Sequence, residues 1–271
     1  MPLRSILSAP ELAGTSWSVV ITTVDGSVSL VHEPDRRLRT ASIAKLLLLA
    51  TTADRIASGT LDPATPLSRR GVEPVADSGL WQHLDAPTMT VADLATLIAA
   101  VSDNLATNVL LDHIGTPAVA AMTVRLVSPQ TALLDRVRDR RESSYPETLS
   151  VGTAADWASF FVRLAGDRLL GPEADALLRG WLERSVDLSM VGAAMALDPL
   201  AHTAADLPAL WNKTGTDAGV RADVGLIRDE QRDVAYAALC NWSPERAVRV
   251  DDVLAAMRAI GALARECGRT A

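Results

Sequence analysis

Ser16-Trp17-Ser18-Val19-Val20-Ile21-Thr22-Thr23 is the stretch on which the fold turns. Its Val, Ile and Thr residues suit a pleated, half-buried surface, so it reads as a strand. Asp25-Gly26 follows as a turn pair, and Ser27 to His32 continues as the second arm of a hairpin. Strand signals then fade and return only near the far end. Ala209 to Thr214 is a short strand, and Ala222–Ile227 with Val234–Asn241 form a second hairpin around Arg228-Asp229-Glu230.

The residues between read as helices. Ser42 to Ser58 is one, closed by Gly59. Thr90-Val91-Ala92-Asp93 is a capping box that opens a helix towards Val101, and Asn104 to Ile114 is another, stopped by Gly115. A second capping box, Thr153 to Asp156, opens a helix that ends near Gly166. Ser243 caps a final helix, with Pro244 in its first turn, running to about Cys267. Strands supplied by both ends and helices by the middle describe an α/β (α+β) fold: an antiparallel five-stranded sheet flanked by terminal helices, with an inserted all-helical lobe. The expected boundaries are 1–38 with 186–271 for the sheet lobe and 39–185 for the helical lobe, the two forming one structural unit. Thr60 to Thr88, with four prolines, is a loop long enough to be functional.

Composition narrows the function. The net charge is −7 over 271 residues, which argues against nucleic acid, whose phosphates demand clustered cations. The longest apolar run, Ile43 to Ala50, contains Lys45 and is too short to span a bilayer, so no membrane partner is expected. The N-terminal stretch lacks the apolar core of a signal peptide, so the chain as it stands is expected to be cytoplasmic, or exported if a leader was removed. Cys240 and Cys267 read as free thiols. His32, His83, His113 and His202 show no metal-ligand spacing, and no metal or cofactor is expected. A monomer is the default.

Only two of the 26 lysine and arginine residues are lysine. A buried amine can lose its proton and act as a base, whereas a guanidinium effectively cannot. Both lysines fall in short motifs: Ser42-Ile43-Ala44-Lys45 at a helix start and Lys213-Thr214-Gly215-Thr216 at a strand end, with Ser102-Asp103-Asn104 between two helices. On a helix, positions three apart share a face, so Ser42 and Lys45 bring hydroxyl and amine together. Each motif alone has a plain alternative: a snorkelling lysine, a pair of helix caps and an edge-strand lysine. Together, in this order and on helix, loop and strand, they form the S-x-x-K, S-D-N and K-T-G set.

On these motifs the chain resembles the class A serine β-lactamase and penicillin-binding-protein family across nearly its whole length. Leu94 to Gly115 is similar to that family's central helix and its approach. The resemblance implies an active site between the lobes. Ser42 would be the acylated nucleophile, Lys45 its base, and Ser102 the relay of a proton to the leaving nitrogen. Asn104 would bind the substrate's side-chain amide, and Lys213 would keep the site positive beside Ser102. Backbone N–H groups of Ser42 and Thr216 would form the oxyanion hole. Thr214, Gly215, Thr216 and Arg221 would hold a substrate carboxylate along the strand. Trp81 in the long loop is either a wall of the cleft or a core anchor.

The expected activity is that of a serine hydrolase acting on a small molecule: a β-lactam or a related amide or ester bearing a carboxylate. A D-alanyl-D-alanine peptidase or esterase on the same scaffold, and a β-lactam-binding sensor without turnover, are the alternatives. One departure stands out. The family's water-activating glutamate belongs to a loop reading roughly L-D-R-x-E, but here the text is Leu134-Asp135-Arg136-Val137-Arg138. Arginine cannot serve as that base. Asp139, Glu142 and Glu147 lie nearby, and Glu142, four residues on, is the candidate substitute. Without one, acylation proceeds and hydrolysis is slow.

Overall fold

The computed structural model describes residues 2–201 and 207–269; His202 lies outside them. The strands are β1 (Ser16–Thr23), β2 (Ser29–His32), β3 (Leu38–Arg39), β4 (Pro66–Ser68), β5 (Thr88–Thr90), β6 (Ala132–Leu133), β7 (Ser150–Gly152), β8 (Ala209–Asp217), β9 (Val220–Arg228) and β10 (Val234–Asn241). The helices are α1 (Leu3–Leu7), α2 (Lys45–Ala57), α3 (Val91–Val101), α4 (Asn104–Ile114), α5 (Thr116–Leu126), α6 (Ala154–Ala165), α7 (Pro172–Leu182) and α8 (Val250–Arg269).

The main sheet has five antiparallel strands in the order β2-β1-β10-β9-β8. The N-terminal hairpin thus pairs with the last strand of the chain, and Val19 faces Ala238 across that seam. Strand alternation sorts the side chains of β10 between two cores. Ala235, Ala237 and Leu239 face α6 and the helical lobe, while Val234, Tyr236, Ala238 and Cys240 pack with α1 and α8. With both faces covered, all eight residues of β10 are buried. In the helical lobe, α2 runs through the middle and is buried from Lys45 to Ala53. A buried helix is apolar all round, and Leu46 to Ala50 supply that surface.

Several local readings differ from the structure. The helical conformation expected from Ser42 begins as a 3-10 turn, Ala41–Ala44, before α2 starts at Lys45. The last helix starts at Val250 rather than at Ser243. Ser243 instead closes a turn with Arg246, and Asp251 and Asp252 supply the acidic first turn of α8. Helices α5 and α7 were not anticipated, although Pro117 and Pro172 lie in their first turns. The long loop is partly ordered by the pairing of β4 with β5. No helix among the described residues is long and apolar enough to cross a membrane.

Gly261 shows how closely α8 is applied to the rest. A Cβ at this position would lie 2.2 Å from the carbonyl oxygen of Val191 and 2.9 Å from Ala194 Cβ. Alanine is the better helix former by about 1 kcal/mol, but overpacking against a backbone atom costs about 1–3 kcal/mol. Gly261→Ala is therefore expected to destabilise the protein by up to about 2 kcal/mol net, read as a lower urea midpoint at unchanged slope.

Candidate active site

Ser42 sits in a turn held by a buried hydroxyl pair. Ala41 adopts a left-handed conformation, with φ at 47°, and its carbonyl accepts a 2.6 Å hydrogen bond from Ser150 Oγ of β7. Thr40 Oγ1 lies 2.7 Å from the same Ser150 oxygen, and Ile43 N donates to Thr40 O. In a 3-10 turn, residues three apart eclipse one another, which sets Ser42 and Lys45 on one side of the chain. Edge strand β8 lies directly against this turn. A Cβ on Gly215 would stand 2.3 Å from Thr40 O, so only glycine lets the strand approach this far.

Lys45 is fully buried. Its Nζ donates to Ser102 O at 2.7 Å and Asn104 Oδ1 at 2.8 Å, and lies 3.2 Å from Ser102 Oγ. Among the described residues no carboxylate bonds to it, and no hydrogen bond joins it to Ser42 Oγ. Burial, with the charge of Lys213 second, drives its pKa well below the ordinary lysine value, against an opposing pull from Asp103. The Ser102 backbone is left-handed, φ 55° and ψ 34°, at the C-terminal end of α3. Non-glycine residues rarely adopt this region and hold it only where neighbours enforce it. Here its carbonyl is gripped from two sides, by Lys45 Nζ and by Ser78 Oγ at 3.0 Å.

Asp103 does structural work that the motif alone did not disclose. Its Oδ1 accepts from Ala106 N and caps α4. Its Oδ2 accepts from Leu80 N at 2.7 Å and Trp81 N at 2.8 Å, which ties the long loop to the motif. Gly79, with φ at 129°, passes so close that a Cβ would meet the Asp103 carboxylate at 2.6 Å. Lys213 is buried on β8, and its Nζ donates to Thr214 O at 2.9 Å. Burial lowers its pKa to about 8, and the charges of Asp187 and Asp223 limit the fall.

These elements enclose a cavity of about 260 Å³ lined by Ser42, Ser102, Lys213, Thr214 and Thr216, together with Ser78, Ser185 and Asp187. The other expected residues lie elsewhere. Asn104 sits behind the cavity wall, with its Nδ2 donating to Ala76 O and its oxygen accepting from Lys45. Trp81 is fully buried in the core and donates to Ala86 O, which makes it a loop anchor rather than a cleft wall. Arg221 departs from the expectation of a carboxylate-binding arginine. It lies across the ladder from Thr216, but its guanidinium donates to Asp217 O and Val220 O near the Trp242 ring and does not line the cavity.

Glu142 departs likewise. It opens, with Asp139 and Arg138, onto a separate cavity of about 370 Å³. Arg138 folds back onto Asp135 through two hydrogen bonds, 2.8 and 3.2 Å, and stacks 3.7 Å above the Tyr145 ring. Arg141 adds a third bond to Asp135, so the loop is built around arginine pairing. Sequence reasoning missed Ser78, Ser185 and Asp187. None belongs to a motif, and only the closure of the chain brings them to the wall. Among the described residues, no cluster of His, Cys, Asp and Glu could hold a metal ion.

Sheet order, inserted helical lobe and cavity together define the β-lactamase and transpeptidase fold. Similar solved structures include a β-lactamase from Sphaerobacter thermophilus, 23% identical, with a TM-score of 0.83 over 97% of this chain and 94% of that one. A class A β-lactamase from Mycobacterium abscessus is 20% identical, with a TM-score of 0.76 over 95% and 96% of the two chains. A PBP-A mutant, described as an acyl-enzyme complex with penicillin G, is 16% identical, with a TM-score of 0.78 over 98% of each chain. Residues 3–270 match the Beta-lactamase enzyme family, and the chain belongs to that family.

Replacing Asp103 with alanine removes the α4 cap and leaves Leu80 and Trp81 N–H groups unpaired. Each buried orphan costs about 1–3 kcal/mol. The expected loss for Asp103→Ala is about 3 kcal/mol of stability by denaturant titration, and faster amide exchange at Leu80 and Trp81 should accompany it.

Proposed function

We propose that the protein is a serine acyl hydrolase in which Ser42 is acylated by a β-lactam or a related amide or ester, with slow release of the acyl group. The observation that carries this reading is the convergence of Ser42, Ser102 and Lys213 on one cavity, with the buried Lys45 amine beneath it. A neutral amine has two N–H bonds, and the two short contacts of Lys45 use them on Ser102 O and Asn104 Oδ1. Its lone pair is then free to take the Ser42 proton as the hydroxyl attacks a carbonyl carbon. Ser102 Oγ, 3.2 Å from Nζ, passes the proton on to the leaving nitrogen. Backbone N–H groups of Ser42 and Thr216 receive the oxyanion. Asn104 acts in this scheme by holding Lys45, and Thr214 and Thr216 line the wall against which the substrate lies.

Release requires an activated water, and the loop that supplies a glutamate elsewhere in the family holds Arg138 against Asp135. Glu142 and Asp139 face a different cavity. Slow hydrolysis follows. Stopped-flow mixing with a chromogenic cephalosporin should give a burst of one equivalent and then slow turnover. Intact mass after incubation with penicillin G should show one retained adduct, absent in Ser42→Ala. Fast steady turnover would defeat the slow-release reading, and an adduct surviving Ser42→Ala would defeat the nucleophile assignment.

Lys213 gives the reaction a pH signature. It contributes positive charge only while protonated, and its pKa is held at about 8. Lys45 imposes no alkaline loss in this scheme, because a base becomes more available as pH rises. The acylation rate should therefore fall as pH rises through about 8. In Lys213→Arg, whose side chain stays charged, that alkaline limb should flatten even if the overall rate drops.

A further inference from the structure

Among the described residues lining the Ser42 cavity, Asp187 is the one carboxylate and Lys213 the one cation. Asp187 lies on the segment Ser185–Asp187, which lines the same cavity as Ser102, Thr214 and Thr216. That segment is fixed at both ends. Val186 N donates to Ala100 O of α3, and Asn212 Nδ2 of β8 donates to Asp187 O at 3.2 Å. The carboxylate is fixed as well, since Oδ1 accepts from Ser189 Oγ at 2.6 Å and from Ser189 N at 3.2 Å.

A site that holds a substrate carboxylate needs an excess of positive charge where that group lands. Here the expected second cation, Arg221, is paired across the ladder with Thr216, but its guanidinium is bonded to the backbone carbonyls of Asp217 and Val220 and does not line the cavity. The cavity that Thr214 and Thr216 line holds an anion instead. The Lys213 charge is opposed by Asp187 within the cavity and by Asp223 behind the strand. A substrate carboxylate brought into this cavity would face Asp187 with no arginine among the lining residues to compensate, and like charges repel, the more strongly at low salt.

We propose that Asp187 is a specificity-determining residue that disfavours acyl donors carrying a carboxylate beside the scissile carbonyl group and selects esters or amides whose group at that end is neutral or cationic. This deepens the reading of Ser42 as the nucleophile and rests on it. It also revises the sequence-based expectation of a carboxylate-bearing substrate.

Penicillin G and its methyl ester test the idea, because they differ only in that charge. Acylation rates are read by intact mass, with p-nitrophenyl acetate as a third, carboxylate-free probe of Ser42. The wild-type protein should react about tenfold faster with the methyl ester than with the acid, a difference of about 1.4 kcal/mol. Asp187→Asn should raise the acid-to-ester ratio about tenfold. Ser189→Ala, which keeps the charge while loosening its turn, should leave that ratio within twofold. Raising the salt concentration should speed acylation of the wild type by the acid relative to the ester, a readout that needs no variant. An acid that reacts as fast as its ester, with a ratio unmoved by salt and by Asp187→Asn, overturns the proposal while leaving Ser42 as nucleophile. Absence of labelling by all three compounds, p-nitrophenyl acetate included, overturns the nucleophile reading and this proposal with it.

Discussion

The structure is organised around one amine buried in a helix, with no carboxylate bonded to it among the described residues. Lys45 opens α2, a helix enclosed along much of its length by α3, α4, α5 and α7. Burial in such surroundings penalises the ammonium and holds its pKa well below the ordinary lysine value. The oxygens that satisfy it, Ser102 O and Asn104 Oδ1, come from a loop nearly sixty residues further along the chain. The strained backbone of Ser102 and the position of the loop above it are thus set by the same nitrogen. Neither lobe builds the site alone: the helical lobe supplies Ser42, Lys45 and Ser102, and the sheet supplies Lys213, Thr214 and Thr216.

Close approach between the lobes is the second constraint, and it is enforced by missing side chains. Gly215 lets β8 lie against Thr40 O, and Gly79 lets the long loop lie against Asp103. Behind the strand, Asp223 continues the same economy. Its two oxygens accept from Val191 N, Gly192 N, Asn212 Nδ2 and Tyr236 OH, which links β8, β9, β10 and the Val191–Met195 turn. Burial raises its pKa to about 7 despite those bonds. The polar groups under the catalytic strand are therefore held by shared hydrogen bonds rather than by salt bridges.

How much of this was legible in the sequence depends on whether the signal was local. The two hairpins announced themselves through Val19 to Thr23 and Ala222 to Ile227, because β-branched and apolar residues suited to a pleated surface leave a mark on each strand. The antiparallel sheet followed. Lysine scarcity pointed to Lys45 and Lys213, since a residue used twice in a chain of this length marks a requirement that arginine cannot meet. What was not legible depended on the closure of the chain. Arg221 sits at a plausible distance along the strand from Lys213, opposite Thr216, but the carbonyls of Asp217 and Val220 hold its guanidinium. Glu142 sits at a plausible distance from Arg138, but Asp135 draws the loop together around its arginines. Asp187 belongs to no motif and reaches the cavity only because Asn212 and Ala100 pin its segment there.

The arginine-built loop stands apart from the cavity that Ser42 lines. The groups assigned to acylation lie on α2, the α3–α4 junction and β8, all braced by the two cores. The loop from Leu134 to Pro146 contributes none of them. It is stabilised within itself by Asp135 accepting from Arg138 and Arg141, and by Arg138 lying over Tyr145. Exchanging a glutamate for an arginine at position 138 in such a loop leaves Ser42, Lys45 and Ser102 where they are and alters only the means of activating water. Recovering that means takes more than restoring one carboxylate, because Asp135 would lose a principal partner and the Tyr145 ring its cation. The pairing that stabilises the loop thus also holds its side chains away from the cavity that Ser42 lines.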